Sequence, residues 1–257
     1  MIIYKSAEEI EKLRESNLLV SRTLAEIARH IEPGVTTATL DGIAETFIRD
    51  HGAKPAFLGY NGYPKTLCTS VNSQVVHGIP SGYQLKEGEL ISVDCGVIQN
   101  GYIGDTAYSF AVGEVSDEIR KLLEVTKASL YLGIEQAVAG KRMGDIGYAI
   151  QSHCEKHGYS VVREMVGHGI GKKLHEEPEV PNYGRSGTGI KLNKGLVICI
   201  EPMINMGKRH IVQDRDGWTI RTTDGLPSAH FELAVAVDEG KPDVLSTFRY
   251  IEEVLNK

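Results

Sequence analysis

The chain repeats itself in outline, and that repetition limits the folds open to it more than any other feature. The stretch GVTTATLDGIAETFIRDHG, Gly34 to Gly52, carries apolar residues at Leu40, Ile43, Ala44, Phe47 and Ile48, the spacing of a helix with one buried face. GKRMGDIGYAIQSHCEKHG, Gly140 to Gly158, has the same span between glycines, the same spacing at Ile146, Ala149, Ile150, His153 and Cys154, and the same closing His-Gly. Each follows a longer helical pattern, roughly Ala7 to Ile31 and Ser116 to Val138. Each is later followed by a His-Gly-Ile triplet, at His77 and His168, and then by a strand opened by glycine. KEGELISVDCG places Asp94 six residues past Gly88, and NKGLVICIEPM places Glu201 six past Gly195. Helix, helix, triplet, strand and carboxylate recurring in order predict an internal duplication with pseudo-twofold symmetry, its halves about 1–110 and 111–257. A site would then lie where the halves face each other.

The strands favour antiparallel pairing. LISVDCGVIQNGYIGDTAYSFAVG holds Asn100-Gly101 between two β-prone runs, the strongest short-range hairpin signal in the chain. LVICIEPMI and HFELAVAV form a second pair, separated by the polar NMGKRHIVQDRDGWTIRTTDG, which itself has hairpin character. The expectation is an α+β fold with helices outside and a strongly curved antiparallel sheet inside.

Composition narrows the function classes. The chain has 257 residues, 41% hydrophobic and 24% charged, with no low-complexity tract, which suits one domain with a sizeable core. A net charge of −6 with scattered basic residues gives no footprint for a phosphate backbone, so nucleic-acid specificity is not expected. No apolar run approaches the ~20 residues of a membrane span. Cys68, Cys95, Cys154 and Cys199 stand far apart without a CxxC pair, which is neither a disulfide framework nor a zinc-knuckle pattern. Free thiols in a reducing cytoplasm are expected, with Cys154 and Cys199 as core residues.

The carboxylates point to chemistry. A two-residue turn at Asn100-Gly101 sets Asp105 opposite Gly96, so Asp94 and Asp105 share a face as diagonal neighbours ~7–8 Å apart at the backbone. Glu201 interrupts the apolar run Leu196 to Ile200, and Glu232 opens LAVAV, where a solvated role is unusual. His168, among the glycines of VGHGIGKKLHEEP, offers a neutral imidazole. Like charges this close are destabilising unless a cation lies between them. Four carboxylates balance two divalent ions, and an oxygen-rich shell with one nitrogen suits manganese, iron, cobalt or zinc. Two such ions form a hydrolytic arrangement, because water between them is acidified into a nucleophile. Rival motifs fail: GHGIGK lacks dinucleotide and Walker spacing, and HEEPE has no second histidine at the HExxH position. Glu176 and Glu177 read as a solvated pair.

VDCGVIQNGYIGDTA, VGHGIGKKLHEEP, CIEPMI and HFELAVAV, in this order and spacing, closely resemble the type I methionine aminopeptidases of the pita-bread metallopeptidase family, and the likeness covers essentially the whole chain. YNGYPKTLCTSVNSQVVHGIP, Tyr60 to Pro80, is particularly like the short bacterial form. The resemblance implies a single catalytic domain binding two divalent metal ions through Asp94, Asp105, His168, Glu201 and Glu232, with Asp105 and Glu232 bridging both. It implies removal of an N-terminal methionine by metal-held water, with Glu201 as proton shuttle, His175 as donor to the oxyanion and His77 at the scissile amide. The side chain would sit among Phe57, Tyr60, Tyr63, Cys68, Leu174, Trp218 and part of His77. Leu174 departs from the commonest bacterial phenylalanine, and Phe57 from a small cysteine. Nascent polypeptide N-termini and the ribosome surface are the implied partners. No unpaired apolar stripe stands out, so a monomer is expected, in the cytoplasm that the free thiols suggest. Prolidases and Xaa-Pro aminopeptidases share the five ligands and form the alternative enzyme reading. A non-catalytic pita-bread peptide-binding protein is the other alternative, one expected to have broken ligands.

Overall fold

Ser6 begins the first helix as a capping box: its hydroxyl accepts from the Glu9 N–H at 3.3 Å, and the Glu9 carboxylate accepts from the Ser6 N–H at 3.0 Å. Such a start stabilises a helix by about 1 kcal/mol. In the computed structural model, which describes residues 1–256, this helix is α1 (Ala7–Ala28), followed by α2 (Thr37–Asp50). Leu40, Ala44 and Ile48 of α2 are fully enclosed, and Ile43 and Phe47 pack partly against the same core. Helix α1 ends at Ala28 rather than near Ile31, ahead of Pro33, whose ring disfavours helical backbone before it.

The chain then enters the first sheet through β1 (Lys54–Pro55) and β2 (Leu67–Val71), and after a tight turn β3 (Gln74–Val76) joins a separate sheet. The main hairpin is β4 (Leu90–Gln99) and β5 (Tyr102–Ala111), closed by Asn100 and Gly101 at φ 51° and 79°, the left-handed pair that a type I′ turn requires. Gln99 faces Tyr102 and Gly96 faces Asp105, the register expected from the two-residue turn. On its other edge β4 pairs with β1 and β2. Helix α1 lies directly on β5 at Gly104, where any Cβ would collide with the backbone of Ser16 and Asn17. Only glycine allows this approach.

Helices α3 (Asp117–Ile134) and α4 (Met143–Lys156) open the second half. Helix α3 stops short of Val138, which is engaged in a parallel bridge with Asp238. The short strands β6 (Ser160–Val161), β7 (Gly167–Gly169) and β8 (Glu176–Val180) follow. Next come β9 (Val197–Ile200), β10 (Met203–Asn205), the hairpin β11 (Ile211–Gln213) and β12 (Ile220–Thr222), then β13 (Ser228–His230), β14 (Leu233–Ala236) and β15 (Asp243–Val244), before the terminal α5 (Arg249–Leu255). One sheet runs β15-β14-β9-β7-β8 and another β13-β10-β6. The polar insertion is a hairpin as expected, and its β12 pairs with β3 of the first half. All strand pairings among the described residues are antiparallel, and helices with antiparallel sheets make the fold α+β.

Further bonds stitch the halves together. The Glu232 N–H donates to Ala107 O at 2.9 Å, the Ile103 N–H to Gly171 O at 2.9 Å, and the Ser228 N–H to Asn72 O at 2.9 Å. The first two join β5 to the second half within a few residues of Asp105. No helix among the described residues is long and apolar enough to cross a membrane.

Candidate active site

The hairpin register puts Asp94 and Asp105 on one face of the β4–β5 ladder, diagonal to each other. The Asp105 N–H is taken by Asn17 Oδ1 at 3.1 Å, so α1 fixes the backbone under one carboxylate. Glu201 and Glu232 sit instead at interruptions. Ile200 faces Leu233 before the gap and Met203 faces His230 after it, so the two glutamates stand across from each other where the ladder is broken. Pro202 has no N–H to offer there, and the Glu232 N–H is diverted to Ala107 O, beside Asp94 in the register.

His168 enters from β7. Its Nδ1 lies 2.9 Å from Gly169 O, which places the ring proton on Nδ1 and leaves the Nε2 lone pair facing the carboxylates. That Nε2 is 3.8 Å from Asp105 Oδ2 and 3.6 Å from Glu201 Oε1. The flanking glycines serve close approach rather than turning: Gly167, Gly169 and Gly171 all lie outside the left-handed region. A Cβ on Gly167 would strike Cys199 O, and one on Gly169 would strike Glu177 O.

Electrostatically the cluster is a cation site. Asp94 Oδ1, Asp105 Oδ1 and Glu232 Oε1 are buried without a hydrogen-bond partner. Burial raises the pKa of all four acids, reinforced by mutual repulsion for Asp105, Glu201 and Glu232; Asp94 is pushed up to about 7. Burial, with His175 nearby, lowers His168 to about 3, so it is neutral and ready to coordinate. Two buried acids, Asp105 and Glu232, two half-buried ones, Asp94 and Glu201, and a neutral imidazole, with free oxygens among them, fit divalent metal. The ligand atoms of Asp105, His168, Cys199 and Glu232 all lie within 4.8 Å of one another. The thiol pKa of Cys199 is raised by burial and then by Glu232 and Asp105. Cys199 is a core residue, as its apolar strand suggested, and it also borders the acids.

Next to the acids is a cavity of about 150 Å³ lined by Phe57, Tyr60, Tyr63, Cys68, Leu174 and Trp218, with His77, His175 and Asn61 at its margin. Every side chain assigned to the pocket from the sequence is thus brought to one place. Trp218 meets Tyr63 edge-on at 5.0 Å. Phe57 owes its room to Gly96, where a Cβ would stand 2.6 Å from the ring. His175 is held through Nδ1 by the Tyr60 hydroxyl at 2.8 Å and lies edge-on to His168 at 4.4 Å. His77 has φ 60°, and burial, with His175, lowers its pKa to about 4. A wider cleft of about 700 Å³ leads outward past His77, His168, His175 and Glu201 to Glu179 and Met1.

Two residues at the site escaped the sequence reading besides Cys199. Asn61, at φ 48°, turns the chain at the cavity mouth. His230 is buried, with Nε2 unpartnered and 3.7 Å from Glu201 Oε2; burial lowers its pKa to about 3. Alternation back from Glu232 was the available signal. Glu176 also departs from the expected solvated pair: it is buried in an ion pair with Lys5, while Glu177 is exposed.

Residues 11–239 match metallopeptidase family M24. The chain belongs to that family. It is 50% identical to the methionine aminopeptidase of Clostridium acetobutylicum over 96% of this chain and 99% of that one. It is 47% identical to methionine aminopeptidase 1 of Bacillus subtilis, over 96% and 99%. The crystal structure of methionine aminopeptidase from Rickettsia prowazekii superposes with a TM-score of 0.95 at 42% identity, over 96% of this M24 chain and all of the other. The fold is therefore the pita-bread arrangement. The prolidase from Pyrococcus furiosus, at 22% identity and TM-score 0.77, shares the fold alone, over 95% of this chain and 65% of that one.

Proposed function

We propose that this protein removes the N-terminal methionine from peptides and newly made chains. The observation that carries the reading is the junction of a buried, cation-demanding acid cluster with a small aromatic and sulfur-lined cavity. High identity over nearly full length to proteins named methionine aminopeptidase supports it.

Asp94, Asp105, His168, Glu201 and Glu232 would hold two divalent ions. Bound there, divalent metal supplies Lewis acidity toward a carbonyl and brings the pKa of water near neutrality. The chain's own groups do the rest. A linear thioether side chain enters the cavity, where Tyr63, Trp218 and Cys68 favour soft sulfur and apolar surface. Glu201, facing both cluster and cleft, carries a proton from water to the leaving amine. Tyr60 holds Nδ1 of His175, aiming Nε2–H at the carbonyl oxygen as negative charge develops. His77, neutral by burial, meets the scissile amide. The two histidines crowd the next side chain, so a small second residue is preferred.

The chain acts as one catalytic domain of two pseudo-symmetric halves, each supplying a helix pair and a strand pair that presents two acids. A cytoplasmic monomer meeting nascent chains at the ribosome belongs to the same proposal. Manganese, iron, cobalt and zinc all suit the donors.

The test is an assay of metal-stripped protein on Met-Ala-Ser and Ala-Pro peptides during titration with Mn²⁺, Fe²⁺ or Co²⁺, with Glu201→Ala as control. Metal-dependent methionine release, lost in the variant, is expected. Cleavage only before proline moves the protein to prolidase-like activity, and bound metal without cleavage makes it a binding protein. A rate on Met-Ala peptides no better than on Met-Lys peptides overturns the small-residue preference.

A further inference from the structure

His175 is an exposed residue on a loop, yet its reading as a donor to developing charge demands a fixed position. Tyr60 and His168 steady the ring. Neither steadies the backbone that carries it. That backbone is clasped by the next residue. Glu176 Oε2 pairs with Lys5 Nζ at 2.5 Å, both side chains almost wholly enclosed, while Oε1 accepts from the Lys173 N–H at 3.2 Å. The same ammonium donates to Ile3 O at 3.0 Å.

Lys5 is itself anchored. Its N–H donates to Gly195 O at 2.7 Å, at the start of the segment leading to Glu201. The loop is tied from the other side by the Ile103 N–H on Gly171 O, two residues before Asp105. Gly171 is required by the pair: a Cβ there would overlap Glu176 Oε1 and crowd Lys5 Cε at 2.8 Å. One ion pair therefore connects the N-terminal arm, the His168–His175 loop and the approach to Glu201.

We propose that Lys5 and Glu176 are positioning residues for His175, acting through their buried ion pair to hold the loop in its productive place. The inference rests on the function proposed above. Burial makes the pair effective: away from water the charges are poorly screened, and the carboxylate is shared between two directions, so the loop has one arrangement that satisfies both. The arm preceding Lys5 then belongs to the active site, since Met1 and Ile3 line the cleft that His77, His168 and His175 also line.

The experiment is a kinetic cycle on metal-loaded protein with a Met-Ala-Ser peptide: wild type, Lys5→Met/Glu176→Gln, His175→Ala, and the three changes together. The paired neutral replacement avoids leaving one charge buried alone, which guards against simple unfolding. The expected result is a kcat loss of about ten- to a hundredfold with KM within about twofold, the scale of a misplaced catalytic group. In the His175→Ala background the same replacement should cost less than about twofold, because coupled groups are not additive. An unchanged kcat overturns the proposal, and so does a full additive loss in that background, which signals general structural damage. If wild type itself releases no methionine, the enzyme reading fails separately. The positioning claim is then decided by the imidazole ¹⁵N shifts of His175 in zinc-loaded protein: displaced by the Lys5→Met/Glu176→Gln replacement they support it, and unmoved they overturn it.

Discussion

The two halves present their acids by different means. Asp94 and Asp105 sit in mid-strand on an unbroken hairpin of two ten-residue strands, so period-2 alternation and a two-residue turn fix their shared face. Glu201 and Glu232 occupy the gap where β9 gives way to β10 and β13 to β14. Their direction depends on Pro202 withholding an N–H and on the diversion of the Glu232 N–H to Ala107 of the other half. A continuous ladder places acids by local rules, whereas a broken ladder places them by contacts from elsewhere in the chain.

The strongest test of that contrast is catalytic. Glu201→Ala should lower kcat by about 10³-fold or more, since it removes both a proposed metal oxygen and the proposed proton carrier. Glu201→Gln, which keeps the shape, should lose nearly as much, as steady-state kinetics with saturating metal would reveal. If Asp94→Ala proved costlier than either, the second half would not be the site of proton transfer.

Metal binding should release protons. Asp94, at about 7, and the other raised acids must ionise to coordinate, whereas His168, at about 3, is already neutral. Affinity therefore weakens below pH 7, by about tenfold per pH unit for each proton displaced. Calorimetric titration in buffers of differing ionisation enthalpy measures the number. Binding independent of pH between 5 and 7 would contradict the electrostatic account of the cluster.

Gly96→Ala probes the face that the hairpin shares with the pocket. The added Cβ drives Phe57 from its seat, toward the cavity. A rise in KM for methionyl peptides of about tenfold is expected, with about 1–3 kcal/mol of lost stability. Denaturant melts alongside kinetics separate the two. The smallest effect belongs to Gly101→Ala. At φ 79° a methyl group is strained, so about 1 kcal/mol of stability should go while kcat stays within about twofold. A large fall in kcat would mean that the turn, as well as the ladder, sets the spacing of Asp94 and Asp105.

The sequence by itself determined the helices, the β4–β5 register and the face shared by Asp94 and Asp105, because these follow from periodicity, caps and turn chemistry over a few residues. It also marked Glu201, Glu232 and His168 as anomalies within apolar or glycine-rich runs, and resemblance assembled them into a site. Only the tertiary structure decided that Gly167 and Gly169 serve backbone contact rather than turning, that His230 and Cys199 border the acids, and that Glu176 is buried against Lys5. Each depends on which surfaces meet across distant segments, and no local pattern encodes a neighbour that lies 171 positions away in the chain.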